Sequence, residues 1–544
     1  MKIALAQLNY HIGNFDSNTK KIIDAVTRAK KESADVVVFA ELSVCGYPPK
    51  DFLEFDDFIS RCESSVNEIA KHCVGITAIV GAPSKNPKVE GKNLFNSAFV
   101  LENGKIKSVH HKGLLPTYDV FDEYRYFEPA KEFHCAEIAG KKIALTICED
   151  LWDVEDDLMY TQWPMEELIR QKPDLMINIA ASPFNYSHAE MRRTVLKRNV
   201  AKYKLPLIYL QQVGAQTEII FDGGSMVLNG QGDVSIEMNY FNEDFVIFDT
   251  EGGRQKTEGR ENSKAKEELI HDALVLGIKD YFSKMGFTKA ILGLSGGIDS
   301  ALVLVLAIRA LGKENVLPVL MPSEFSSGHS VDDSIALCKN LDCKHETIPI
   351  KSGYDEVLKM LSPVFKDTKF NVAEENIQAR LRAITLMGIA NKFGYILLNT
   401  TNKSEAAVGY GTLYGDMCGG ISVIADVYKT EVYDLCHFIN AEIEIIPNNI
   451  ITKAPSAELR PGQKDSDSLP EYPVLDKILF NYIEKRQGPK ELVQMGFEKN
   501  LVDRILKMVN SNEWKRAQMA PVLRVSAKAF GSGRRMPIVG KYLG

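Results

Sequence analysis

The segment Gly293-Leu294-Ser295-Gly296-Gly297-Ile298-Asp299-Ser300 sets a glycine-rich turn between an apolar strand-like run, Ala290 to Leu294, and a helix-like run, Ala301 to Leu311. A strand that passes through paired glycines directly into a helix turns main-chain N–H groups and the positive end of the helix dipole toward one spot. That spot suits a phosphate. No Gly-Lys-Ser/Thr follows, so the turn is not a Walker loop. The alternative is an ordinary tight strand-to-helix turn. A glycine pair alone would favour that ordinary turn; the whole string in its strand–turn–helix context favours nucleotide binding.

A chain of 544 residues is too long for one core and predicts two or more domains. The net charge of −7 and a pI near 5.9 argue against wholesale binding to nucleic acid or an anionic membrane, which would need a dominant basic face. Small-molecule partners are expected instead. The longest apolar run near the loop, Ala301 to Ile308, is far short of a bilayer span, and Met1-Lys2-Ile3-Ala4-Leu5-Ala6-Gln7 turns polar too soon for a secretory segment. These features predict a cytoplasmic protein. Nine cysteines without a Cys-x-x-Cys suggest neither a disulfide framework nor a zinc knuckle.

The first 250 residues alternate strand-like and helix-like segments. Lys2 to Leu8 and Val36 to Ala40 read as buried strands around an amphipathic helix, Asn18 to Lys31, and Ile76 to Gly81, Ile143 to Cys148, Leu175 to Ala181 and Leu207 to Val213 are further strand candidates. Asn103-Gly104, Ala139-Gly140 and Asn229-Gly230 predict tight turns between antiparallel neighbours. Residues 251–266 are polar and charge-dense and read as a linker. From 267 to 544 a helix, Glu267 to Met285, precedes strand–helix alternation of the open parallel-sheet kind, and no internal repeat is visible. Pro455 to Pro470, PSAELRPGQKDSDSLP, has little to bury and is expected to be a mobile loop. The tail from Trp514 onward carries Lys515, Arg516, Arg524, Lys528, Arg534, Arg535 and Lys541 with no acidic residue, which suits either a solvated face or phosphate contact.

Cys148 ends an apolar strand and is followed at once by Glu149-Asp150. A lone Cys in such a run is more often inert core. Glu41, closing Val36 to Ala40, and Lys112, preceding Leu114-Leu115-Pro116-Thr117-Tyr118, change that balance. A thiol, a carboxylate and an ammonium supply the nucleophile, base and oxyanion stabiliser needed to break an amide. The three strings resemble the nitrilase-like amidases. That resemblance implies a four-layer α-β-β-α sandwich in residues 1–250, with Glu41 as base, Lys112 beside the tetrahedral intermediate and Cys148 as nucleophile. It also implies glutamine contacts at Tyr118 and Ser182, and a second carboxylate, Glu123, supporting the lysine. The alternative for Glu123 is a surface salt bridge to Arg125. His188 stands where these enzymes usually carry Lys or Arg.

The glycine turn resembles the pyrophosphate loop of the ATP pyrophosphatases, with a Rossmann-like open parallel sheet. An amide-cleaving half joined to an adenylylating half resembles the glutamine-dependent NAD synthetases. Met321-Pro322-Ser323, Glu375 to Arg380, Asn402-Lys403-Ser404-Glu405, Tyr414-Gly415-Asp416, Lys429-Thr430 and the 455–470 loop match strings of that family. By resemblance, glutamine-derived ammonia amidates deamido-NAD through an adenylylated intermediate, releasing AMP and pyrophosphate. Gly293, Leu294, Ser295, Gly296, Gly297, Ile298, Asp299, Ser300 and Thr400 would contact ATP. Asn376, Glu405 and Lys515 would contact deamido-NAD, and Asp299 with Glu405 would ligate Mg²⁺, whose hardness suits carboxylate oxygens. Asp416 and Lys429 match positions near the reacting groups. Thr401 departs from the commoner Gly. Homo-oligomers are implied too. Two rivals stand beside this expectation: a glutamine-fed synthetase acting on another carboxylate or carbonyl, and a binding protein with an inactive amidase half.

Overall fold

The apolar runs of the first half form strands because both of their faces are covered: five of the six residues of Lys2–Gln7, and all of Val36–Val38 and Leu175–Ala180, are buried. In the computed structural model, which describes residues 1–152, 159–251, 264–326, 328–460 and 462–543, the chain divides into two compact units, Met1–Lys264 and Ala265–Gly544. Residues 252–263 of the expected linker lie outside the described residues, as does Pro461 of the loop.

The first unit carries two six-stranded mixed sheets. One runs in the order Asp244–Asp249, Lys2–Gln7, Val36–Val38, Thr77–Lys85, Leu94–Glu102, Lys105–His111. The other runs Val234–Glu237, Met226–Leu228, Leu207–Gln211, Leu175–Ala180, Lys141–Ile147, Ala136–Ile138. Alternation of side chains sorts the first sheet's residues into two cores. Ile3, Leu5, Val36, Val38 and Ile79 pack with Leu145, Met176 and Ile177 of the second sheet. Ala4, Ala6, Val37, Ala78 and Val80 pack instead under the helices Phe15–Lys31 and Asp56–His72, against Ile22, Val26, Ile59, Val66 and Ile69. Leu196 and Val200 of the helix His188–Tyr203 join the second sheet's core. The layers are therefore α-β-β-α. The expected strand Leu207 to Val213 is interrupted at Gln212: Leu207–Gln211 stays in the sheet, while Val213–Gln216 pairs with Ile219–Asp222 in a separate ribbon.

The second unit is built on a five-stranded parallel sheet, ordered Glu346–Thr347, Val316–Leu320, Lys289–Gly293, Tyr395–Asn399, Ile421–Ser422. The helix after the glycine turn, Ile298–Leu311, is buried all round from Ala301 to Ala307, which its unbroken apolar run requires. Strand–helix alternation stops at Ser422. Among the described residues beyond it, helices Tyr472–Ile483, Pro489–Gln494 and Lys499–Ser511 pack around Leu475, Leu479, Ile505 and Leu506 in a core shared with Ala406, Ala407, Val408 and Tyr428. The basic tail is only in part a solvated face, with Arg535 and Lys541 exposed. Arg516, Arg524 and Arg534 are buried, with Arg516 donating to the Ala407 and Val509 carbonyls and Arg524 to those of Ser526 and Ala527. Nor is the 455–470 loop without anchors: Asp465 and Leu469 are buried, and Gln378 Nε2 donates to the Leu459 carbonyl at 2.9 Å.

One close approach in the first sheet is reserved for glycine. A Cβ on Gly81 would lie 2.3 Å from the Leu42 nitrogen and 2.5 Å from the Ala40 oxygen. Backbone cannot yield as a side-chain tip can, so Gly81→Ala must displace the segment that carries Glu41. It is expected to cost about 1–3 kcal/mol, as overpacking does, and to lower the thermal midpoint by about 2–4 °C per kcal/mol in calorimetry of the full chain.

Candidate functional site

In the first unit, strand ends deliver the functional groups. Glu41 lies just beyond Val36–Val38, Lys112 follows Lys105–His111, Cys148 follows Lys141–Ile147, and Ala181 follows Leu175–Ala180. The Lys112 ammonium, fully buried, donates to Glu41 Oε1 at 2.8 Å and to both Glu123 oxygens at 2.9 Å. Asn96 Nδ2 donates to Glu41 Oε1 at 2.7 Å and the Ala181 N–H to Oε2 at 2.9 Å, while Tyr47 donates to Glu123 Oε1 at 2.8 Å. Burial alone would lower the lysine pKa, yet the Glu123 and Glu41 charges outweigh it and hold it well above its ordinary value. Burial pushes Glu123 up to about 7 against the pull of Lys112. Arg125 lies by Asp51 instead, so Glu123 is the inner partner of the lysine.

Cys148 sits at φ +43°, a left-handed conformation that strains a residue with a Cβ, at the turn from strand into the short helix Cys148–Leu151. Asp150 holds that turn by accepting from the N–H groups of Ile147, Gly113 and Leu114 at 2.9–3.0 Å, tying it to the residues that follow Lys112. Burial first, then the Glu41 charge, keeps the thiol pKa well above its ordinary value, with Lys112 opposing. Around the thiol stand Tyr118 and Tyr160, both donating to Glu149 Oε1, at 2.8 and 3.0 Å. Ser182 Oγ and His188 Nε2 are 2.7 Å apart, and the His188 ring stacks on Trp152 at 5.0 Å. Glu149 follows Cys148 directly in the chain, but its burial and its two tyrosine partners are set by the fold.

In the second unit a cavity of about 310 Å³ opens where the parallel strands end, lined by Gly293, Leu294, Ser295, Gly297, Ile298, Asp299, Ser300, Thr400 and Glu405 among others. Gly296 has φ +77°, and a Cβ there would meet the Ser330 carbonyl oxygen at 2.3 Å. The turn is thus packed against the helix Gly328–Asn340. Ser300 Oγ donates to the Gly297 carbonyl at 3.0 Å, and Gly297 N–H donates to Ser295 Oγ at 3.2 Å. Asp299 is gripped by Asn402 Nδ2 at 2.9 Å and by Lys429 Nζ, which also lies 3.6 Å from Glu405. Asn376 and Lys515 lie outside the lining residues: Asn376 Oδ1 accepts from Thr412 Oγ1 at 2.7 Å, and Lys515 Nζ donates to the Gly409 and Gly411 carbonyls at 2.9 and 3.0 Å. Both hold the segment that leads to Asp416, which does line the cavity.

Residues 402–405 divide the positioning work. Asn402 caps the helix Lys403–Val408 by accepting from the Glu405 N–H at 2.9 Å. Lys403 is buried between Asp426 at 2.9 Å and Glu484 at 2.8 Å. Ser404 Oγ donates to Asp476 and accepts from the Lys429 N–H, while Asp476 Oδ2 accepts from the Thr430 N–H. Asp476 thereby fixes the start of Lys429–Ile439 against the helix bearing Glu405. Thr401 stays out of the left-handed region, so this turn does not demand glycine. Burial and the Asp299 charge raise Glu405 to about 8 despite Lys429. Two converging hard oxygen donors short of positive charge fit a divalent cation. Among the described residues no group of three or more metal-ligating side chains is disposed to hold a metal.

Family models for NAD synthase and carbon-nitrogen hydrolase match residues 270–519 and 2–252. A glutamine-dependent NAD(+) synthetase of Synechocystis is 47% identical over 549 residues, covering 98% of each chain, and one of Thermotoga maritima is 38% identical, covering 100% of this chain and 99% of its own. The chain belongs to the glutamine-dependent NAD(+) synthetases. The Acinetobacter baumannii NAD+ synthetase, solved with adenosine diphosphate, aligns with a TM-score of 0.79 at 37% identity, covering 99% of this chain and 98% of that one. A Cytophaga hutchinsonii NAD(+) synthetase, 20% identical, shares the fold with a TM-score of 0.84 and similar coverage, 99% and 98%.

Within that family setting, Glu123→Gln replaces a carboxylate on the Lys112 ammonium by an amide whose NH₂ cannot accept. Glutamine hydrolysis, followed as glutamate release, is expected to fall by about 10²-fold, while NAD formation from ammonium salts is retained.

Proposed function

We propose that this glutamine-dependent NAD synthetase cleaves glutamine at Cys148 and spends the ammonia on deamido-NAD at the Gly293–Ser300 turn. The observation that carries the first half is the buried Lys112 ammonium between Glu41 and Glu123, beside a thiol. Glu41 takes the thiol proton, and sulfur attacks the side-chain carbonyl carbon of glutamine. The oxygen becomes anionic near the Lys112 ammonium. Collapse expels ammonia with a proton returned from Glu41, and water attacks the thioester to give glutamate and the free thiol. The carboxylate of Glu149, held by two tyrosine hydroxyls, suits the substrate α-ammonium. Ser182 and His188 stand for the polar contacts to its other end, His188 in the place of a stronger cation.

In the second half the deamido-NAD carboxylate attacks the α-phosphorus of ATP, and the bond to pyrophosphate breaks. Ammonia then adds to the activated carbonyl and AMP leaves, giving NAD. The main-chain N–H groups of the turn and the start of Ile298–Leu311 receive the phosphates. Thr400 lies beside the nucleotide, and Asn376, Glu405 and Lys515 shape the dinucleotide side. Mg²⁺ held by Asp299 and Glu405 would neutralise phosphate charge.

No helix among the described residues is long and apolar enough to cross a membrane, and all nine cysteines are unpaired, which suits a reducing cytoplasm. Met360, Val364, Val372, Ile384 and Phe393 are exposed on the helices Lys351–Phe365 and Val372–Phe393, which supports assembly as a homo-oligomer. Sedimentation of the full chain is expected to give a mass of at least two chains.

Cys148→Ala is expected to abolish glutamine-driven NAD formation and leave the ammonium-driven reaction within about twofold; equal loss of both would contradict two separate centres. Asp299→Asn is expected to lower both by about 10²-fold or more, measured as AMP release. Turnover of another acid in place of deamido-NAD would favour the rival synthetase.

A further inference from the structure

A turn without a Walker lysine must find cationic partners elsewhere for a leaving pyrophosphate. Among the described residues lining the cavity, the cationic side chains are Arg382, Lys429 and Lys453. Lys429 is committed to Asp299 and Glu405. Arg382 donates to the Met321 carbonyl and lies in the field of Asp416 and of Glu458. Lys453, at the end of the short helix Asn448–Thr452, donates at 2.9 Å to the neutral Ser330 hydroxyl. Ser330 is the residue on which Gly296 rests, so this ammonium stands beside the turn itself.

We propose that Lys453 supplies the charge the turn lacks, releasing Ser330 to bind the β- and γ-phosphates of ATP and the pyrophosphate that departs. An ammonium gains more from a phosphate oxygen than from a neutral hydroxyl. Ser330 is not left without a partner, because its hydroxyl donates to Glu458 Oε1 at 2.8 Å. The assignment rests on the ATP role of the turn given above. The same contacts give Lys453 a structural alternative, that of anchoring the 455–470 loop through Ser330 and Glu458.

Full-length protein with ammonium as nitrogen source separates these cases. Release of pyrophosphate by the unaltered enzyme tests the ATP role first; without it that role fails, and this assignment with it. Given that release, Lys453→Met is expected to raise the ATP KM and the pyrophosphate inhibition constant about tenfold or more, with the deamido-NAD KM unchanged within about twofold. Lys453→Arg is expected to recover most of the pyrophosphate affinity. Ser330→Ala, which cuts the anchor but keeps the ammonium, is expected to leave the inhibition constant within about threefold. Calorimetric titration of the same variants with pyrophosphate gives the comparison without turnover. Unchanged pyrophosphate affinity in Lys453→Met, or equal losses in Lys453→Met and Ser330→Ala, would overturn the assignment while leaving the ATP role intact.

Discussion

A lysine ammonium buried between two carboxylates is the constraint on which both halves depend. Lys112 lies between Glu41 and Glu123, and Lys429 between Asp299 and Glu405. Such groups are costly to remove from water and are tolerated only when each remaining donor and acceptor is met. The surroundings answer that demand. Asn96, Ala181 and Tyr47 complete the first set, and Asn402 joins Lys429 on Asp299 in the second. Positioning of catalytic atoms is therefore a by-product of satisfying buried charge. A side chain that left its place would strand an ion.

Topology explains why these ions meet. In the first unit the strand ends of two facing sheets bring Glu41, Lys112, Cys148 and Ala181 together from four separate segments. In the second, the parallel strands Lys289–Gly293 and Tyr395–Asn399 are neighbours, so the turns that follow them carry Asp299 and Glu405 to one crevice. The helical layer beyond Ser422 then acts from outside, with Asp476 and Glu484 reaching back to Ser404 and Lys403. Arg516 belongs with them, since its guanidinium caps carbonyls at the end of the helix that starts with Lys403.

Much of this was legible in the chain. Apolar runs of strand length located the sheets, and Glu41, Lys112, Cys148 and the glycine turn stood at run ends where side chains leave the core. Glu123 was ambiguous because Arg125 is two residues away, and only the fold shows Lys112 closer than that neighbour in sequence. Glu149, Tyr47 and Asn96 were invisible as a group: each is an ordinary residue until a partner 31 to 76 positions away is brought within hydrogen-bond reach. Composition leaves the basic tail open for a related reason. Composition counts charges, but guanidinium groups that cap carbonyls are structural donors, and nothing local distinguishes them from phosphate ligands. Strand bounds differed where the chain turns early: Glu41 lies past a strand ending at Val38, not at its last residue.

The two clusters share one layout and differ in what stands beside them. Burial first, and neighbouring anions after it, push the Cys148 thiol and the Glu405 carboxyl pKa upward. At the first centre burial, then the Glu41 charge, holds the Cys148 thiol up, and Glu149 and Glu123 add to it. Glu149, held by the Tyr118 and Tyr160 hydroxyls, is among the anions that hold the thiol up. At the second centre burial and the Asp299 charge hold Glu405 up to about 8, with Lys429 opposing. A polyanion bound there, as proposed, would be helped by a cation entering with it. One motif, a lysine between two acids, thus stands beside a buried thiol in one half and beside a glycine turn in the other, and the difference lies in what each fold brings to the pair.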